Sequence, residues 1–170
     1  MDATIVSVAD VIVEGSSVYT APDFAKYLEP YRRKAVSLRQ LHNLADALTA
    51  LYRRDGYILS QVSVPSQQLR NGVIRLQVQE GYIARVDLLG KVPRNRAALA
   101  GPIDALKRAR PVTAAALERS LLLINDLAGI TATAELAPSK TQPNAAQLTL
   151  RFDQRRYRAA IGMNNLASRS

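Results

Sequence analysis

A chain of 170 residues that is 48% hydrophobic and 22% charged is ordinary globular material, one domain or two small ones, not a disordered tail. It holds no cysteine, which excludes disulfides and thiolate metal sites, and no run of about 18 apolar residues that would cross a membrane as a helix. The net charge of +9 is uneven: residues 1–80 carry nine Lys or Arg against eight Asp or Glu, residues 81–154 ten against six, and residues 155–170 four against none. With 5% aromatics and no GxxG-type loop among the charges, this is a poor match to a nucleic-acid binder.

The chain opens with IVSVADVIVEG, β-branched and strand-like, with a break in alternation at Ala9–Asp10 that suggests a bulge or change of register. The N-terminus MDATIVSVADVIVEG lacks a basic n-region and a long apolar h-region, so no signal peptide is visible and any export signal is expected to have been removed. APDFAKYLEPYRRK suggests a short helix with Phe24, Tyr27, Leu28 and Tyr31 on one side, ended or kinked at Pro30. SLRQLHNLADALTALYRRDG places Leu41, Leu44, Ala45, Leu48, Leu51 and Tyr52 in one helical stripe. Ser37 with Gln40 forms a capping-box pattern at its start, and Gly56 suits a left-handed C-terminal turn. GYILSQVSVPSQQLRNGVIRLQVQEG then alternates at period two on both sides of a polar connection, which predicts strands at 57–64 and 73–80.

Residues 82–153 read in the same order. IARVDLLG is a strand, and RNRAALAGPIDALKRA is a weaker helix interrupted at Gly101–Pro102. TAAALERSLLLINDLAG is a helix with Thr113 as N-cap, Leu117, Leu121 and Ile124 in its stripe and Gly129 after it. ITATAELAP and AAQLTLRFD alternate as two more strands, the last burying Leu148, Leu150 and Phe152. Gly15 and Gly90, Gly56 and Gly129, and Glu80 and Asp153 stand at nearly one offset, which points to an internal duplication. Each unit is small enough to bury only one layer of helices against one sheet.

Leu51–Tyr52 before Gly56–Tyr57, then Pro65 and Gln67, then Gly72, then Glu80–Gly81 leading into the second unit, resemble the polypeptide-transport-associated (POTRA) domains of two-partner-secretion outer-membrane transporters, the hemolysin secretion/activation family. LLINDLAG resembles the matching helix end of that family's second domain. The resemblance implies an α+β fold of two tandem POTRA domains, each β-α-α-β-β with a three-stranded mixed sheet covered by two helices. Residues 1–80 are then domain 1, residues 81–154 domain 2, and residues 155–170 the start of a missing transmembrane β-barrel or a tail. In YRAAIGMNNLASRS, Tyr157, Ala159, Ile161 and Met163 would form the lipid-facing parity of a first barrel strand.

No catalytic set is visible. The single histidine, His42, lies beside the apolar stripe of a helix with no nucleophile or carboxylate pattern aimed at it, and no Gly-rich phosphate loop follows a strand. A non-enzyme is expected, with no cofactor and no metal. Of the basic runs Arg32–Lys34, Arg53–Arg54 and Lys107–Arg110, solvated helix ends suit Arg53–Arg54 and Lys107–Arg108 well, while Arg155, Arg156 and Arg158 would lie close to the membrane and its anionic headgroups.

The resemblance further implies a periplasmic place, as part of an outer-membrane protein, and a monomer working beside its own barrel and the membrane surface. Its partner would be a secreted exoprotein of hemolysin or adhesin type, taken up unfolded. If strand 73–80 is central, strand 57–64 is an edge open to an extended foreign strand. The cargo-binding residues expected there are Tyr52, Tyr57, Leu59, Gln61 and Ser63, in a groove beside helix 38–55. Proline at Gln61 is expected to damage binding and spare the fold. Two other readings stay open: an array serving outer-membrane-protein assembly, and a basic tandem module binding nucleic acid.

Overall fold

The computed structural model describes residues 5–68, 71–127 and 130–154. Its strands are β1 (Ile5–Val8), β2 (Asp10–Glu14), β3 (Lys34–Ser37), β4 (Gln61–Ser63), β5 (Val73–Gln79), β6 (Tyr82–Gly90), β7 (Ile130–Pro138) and β8 (Ala145–Gln154). Its helices are α1 (Ala21–Leu28), α2 (Leu38–Arg54), α3 (Ala97–Arg108) and α4 (Ala114–Asn125), with one 3-10 turn at Glu29–Tyr31.

Two three-stranded mixed sheets repeat one pattern. In the first, β5 lies between β2, its parallel partner, and β4, its antiparallel partner; in the second, β8 lies between parallel β6 and antiparallel β7. Each unit has its own core. Phe24, Leu41, Leu44, Leu48, Tyr52, Ile74 and Leu76 fill the first, and Ile83, Leu99, Leu106, Ile124, Leu148, Leu150 and Phe152 fill the second. The duplicated glycines also hold equivalent places. Gly15 and Gly90 end β2 and β6 at φ +86° and +81°, and a Cβ on either would collide with a backbone carbonyl of the central strand, Val78 or Phe152. Both the left-handed backbone and the close approach demand glycine.

Local signals were realised where the chain closes its own hydrogen bonds. Ser37 Oγ accepts the Gln40 amide while the Gln40 side chain accepts from the Ser37 amide, starting α2 as a capping box. Thr113 Oγ1 accepts the Ala116 amide at the start of α4. Gly56 ends the α2 turn at φ +90°, and Pro30 turns α1 into the 3-10 turn.

Three expectations are corrected, and one strand is added. The opening strand is two strands: Ala9 breaks the run, β1 leaves to pair antiparallel with β3, and β2 continues into the main sheet. The four-residue β3, too short to show a period, was not anticipated. Gly101–Pro102 does not interrupt α3, which runs through Pro102. The ring of a proline clashes with the Cβ of the residue before it, and Gly101 has none. Finally, residues 57–60 are not strand, and β4 is only Gln61–Ser63. Gly129, the expected barrel strand at 157–163, and Arg155, Arg156 and Arg158 lie outside the described residues.

Candidate functional site

The segment from the end of α2 to the start of β6 holds nearly every residue that the sequence singled out. After α2, the chain makes a double turn. The Tyr57 amide donates to the Tyr52 carbonyl (2.9 Å), and the Ser60 amide donates to the Tyr57 carbonyl (3.1 Å). The turn faces the second unit: the Gly56 carbonyl accepts the Ala114 amide of α4 (2.9 Å), and Leu59 packs against the second core. The junction closes on Gly81, whose amide donates to Ser60 Oγ (3.3 Å) and whose carbonyl accepts the Val112 amide (2.9 Å). A Cβ on Gly81 would fall far inside van der Waals contact with the Leu59 backbone, which is why glycine stands there.

Glu80 ties the same junction to the loop after β2. Its carboxylate accepts the Ser17 amide (2.7 Å), Ser17 Oγ (2.5 Å), the Val18 amide (3.2 Å) and the Tyr52 hydroxyl (3.2 Å). Tyr52 also donates to Ser16 Oγ (2.7 Å). Around it, Tyr19 and Tyr57 meet the Tyr52 ring edge-on at 4.8 and 5.8 Å between centroids, a geometry that pairs ring edge with ring face. Burial pushes the Tyr52 hydroxyl up to about 12. Burial and a hydrogen bond to Asp55 (2.5 Å) raise Tyr19 well above the ordinary phenol range. The Arg54 guanidinium, with the Tyr19 hydroxyl, holds Asp55 below the usual carboxylate range.

The Pro-x-Gln pair has a structural job as well. Continuing the register in which Gln61 lies opposite Gln79 and Ser63 opposite Gln77 puts Pro65 opposite Arg75. Proline has no N–H to give to that ladder. The Gln67 side chain supplies the missing pair: Nε2 donates to the Arg75 carbonyl and Oε1 accepts the Arg75 amide, both at 2.8 Å. Gly72, at φ +71°, accepts the Ala9 amide (2.8 Å) at the break between β1 and β2. Pro65, Gln67, Gly72, Glu80 and Gly81 therefore organise the first sheet and its exit.

The expected cargo residues separate. Tyr52 is fully buried and cannot offer its ring to a ligand. Tyr57 and Leu59 are half-buried, one against the first core and the other against the second. Gln61 is exposed, its amide nitrogen 2.8 Å from Gln79 Oε1. Ser63 is half-buried on the same parity. β4 is indeed the outer strand, but its middle amide is taken: Val62 N–H donates to Thr49 Oγ1 of α2 (2.9 Å). Amides alternate between partner and open side in an antiparallel pair, so Gln61 and Ser63 face β5. Proline at Gln61 therefore removes a ladder donor and is not the cheap change expected.

Two grooves flank β4. One, of about 650 Å³, is lined by Asp46, Thr49, Ala50, Arg53, Arg54, Gln61 and Val62. The other, of about 470 Å³, opens between the units, with Leu59, Gln61 and Gln79 on one wall and Leu136 to Pro138 and Gln142 to Ala146 on the other. Thr49 and Asn125 carry no signal in the sequence, because a polar residue on an amphipathic helix has no visible partner there. His42 is exposed, its Nδ1 2.9 Å from the Leu38 carbonyl.

Comparison with known proteins agrees with this geometry. Residues 6–81 match the family model described as POTRA domain, ShlB-type. The heme/hemopexin transporter protein HuxB of Haemophilus influenzae is 26% identical over 149 residues, covering 84% of this chain and 26% of that protein. The outer membrane transporter CdiB of Escherichia coli is 28% identical over 80 residues, 47% of this chain and 14% of that one. This chain thus spans about a quarter of the length of HuxB.

Among solved structures, CdiB from Escherichia coli superposes with a TM-score of 0.75 at 22% identity, over 88% of this chain and 27% of that one. POTRA1-3 of the periplasmic domain of Omp85 from Anabaena superposes with a TM-score of 0.70 at 20% identity, over 89% of this chain and 66% of that one. Both likenesses extend across the two units and show a shared fold. POTRA domains of outer-membrane transporters lie in the periplasm. Residues 6–81 thus match the ShlB-type POTRA domain, in a chain similar to the heme/hemopexin transporter protein HuxB and the outer membrane transporter CdiB.

Proposed function

We propose that this chain is the cargo-receiving periplasmic part of an outer-membrane protein translocator. It takes an extended segment of a secreted exoprotein as an added strand on a sheet edge and passes it to a β-barrel pore that follows in the same protein. The observation that carries this reading is the sheet order: in both units the last hairpin leaves its first strand, β4 or β7, on the outside. An outer strand binds an extended chain through main-chain hydrogen bonds and reads alternation more than sequence. That suits a cargo arriving unfolded. Gln61 and Ser63, the exposed rim of Tyr57 and Leu59, and the groove between the units are the surfaces offered. We place the domain boundary at Glu80–Gly81, giving domains at 1–80 and 81–154; the two separate cores support it.

Backbone amide NMR of this chain, titrated with an unfolded secretion-domain peptide of the exoprotein encoded beside its gene, tests the reading. Shifts along β4, along β7 or in the groove between them are expected. A folded sample that ignores this peptide but responds to peptides of nascent outer-membrane proteins would replace secretion with assembly. Silence toward both would refute cargo capture by these domains.

A further inference from the structure

The two outer strands are held by their neighbouring helices in the same way, and this bears on where an incoming strand can bind, given the capture reading above. In β4 the outward residue is Val62, and its amide is occupied by Thr49 Oγ1 (2.9 Å), while the same hydroxyl donates to the Ala45 carbonyl (2.9 Å). Before it, the Ser60 amide is used by its own turn; β4 itself ends at Ser63. Only Val64 retains an outward amide without a described partner, and one donor is no ladder.

In β7 the outward residues are even-numbered, since the Ser139 amide, on the other parity, donates to the Ala145 carbonyl across the hairpin (2.8 Å). Ala132, which follows Ile130 on this parity, is closed on both sides by one side chain of α4. Asn125 Oδ1 accepts its amide (2.6 Å), and Asn125 Nδ2 donates to its carbonyl (3.2 Å). Val62 lies opposite Val78 and Ala132 opposite Phe152, the same two carbonyls against which Gly15 and Gly90 are packed. The capped positions are therefore equivalent in the duplicated fold, although one cap is a hydroxyl and the other a carboxamide.

We propose that Thr49 and Asn125 are edge caps that close Val62 and Ala132 to strand addition and so decide which backbone a cargo can read. Their effect differs between the units because the strands differ in length. The cap on three-residue β4 leaves no run of open positions. The cap on nine-residue β7 leaves Ala134 and Leu136, two successive outward residues whose amides and carbonyls have no partner among the described residues, before Pro138 ends the run. Leu136 and Pro138 also line the groove between the units. An extended polypeptide of about five residues satisfies both backbone pairs at once.

The test uses this chain, its Thr49→Val, Thr49→Ser and Asn125→Leu variants, and a nine-residue peptide of alternating valine and threonine with lysine at each end. Amide exchange at Val62 should be slow in the parent and in Thr49→Ser, and at least tenfold faster in Thr49→Val; Asn125→Leu should do the same at Ala132. The peptide should shift Ala134 and Leu136 but not Val62 or Ala132 in the parent chain, and should reach Val62 in Thr49→Val. Should Thr49→Val not fold, the parent chain still decides. A peptide that shifts Val62 there, or an unprotected Val62 amide, overturns the assignment, as does a folded Thr49→Val chain with unchanged exchange. Protected, cap-dependent amides with no peptide shift at Ala134 or Leu136 uphold the caps and overturn strand capture as the function.

Discussion

Replacing Glu80 tests whether the domain exit is held by one carboxylate. Of its four hydrogen bonds, those from the Ser17 amide and hydroxyl lie at an exposed residue, where water can substitute. The Val18 amide and the Tyr52 hydroxyl are part-buried, and Tyr52 keeps Ser16 as a second partner. Hydrogen bonds to a charged group contribute about 1.5–3 kcal/mol each when buried and much less when exposed. On this count Glu80→Ala costs about 2–3 kcal/mol. Glu80→Gln can keep its oxygen at the Oε1 position, which serves the Ser17 and Val18 amides and Tyr52, and turn its amide toward Ser17 Oγ. It should cost about 1 kcal/mol or less. Urea denaturation with an unchanged slope measures both. Equal losses in the two variants, or a loss below about 0.5 kcal/mol in Glu80→Ala, would refute the reasoning.

Two further changes probe the junction. Gly81→Ala drives a methyl into the Leu59 backbone and should cost about 1–3 kcal/mol as overpacking, with amide shifts gathered at 56–60 and 112–114; a silent substitution would mean the turn is looser than described. Tyr52 is ordinarily deprotonated near pH 10 but is raised to about 12 in the fold, so folding favours its neutral form. Its contribution is fully present below about pH 10 and is lost as the pH climbs toward 12. Stability measured by urea titration should therefore fall across that window, and less so in Tyr52→Phe. A flat profile in the parent chain would contradict it.

The sequence alone determined the repeating elements that close bonds within themselves. The stripe and capping box of α2 carry their partners within a few residues, the alternation of β5 and β8 is read without any partner, and the glycines at 15 and 90 stand out by their matched offset. The duplicated element order followed, and with it the fold. Tertiary structure decided what depended on distant groups. Residues 57–60 alternate like a strand, yet their bonds go to the Tyr52 carbonyl and the second unit, so they turn.

Tyr52 sits at a position that reads equally well as core or rim; its partners at Ser16 and Glu80, 36 and 28 residues away, bury it. Gln67 looks like a loop residue until Pro65 is seen to leave Arg75 without a ladder partner. The openness of an edge is likewise invisible in one dimension. Whether an outer amide is free depends on which helix side chain reaches it across the sheet, and Thr49 and Asn125 reach theirs only once each helix has packed.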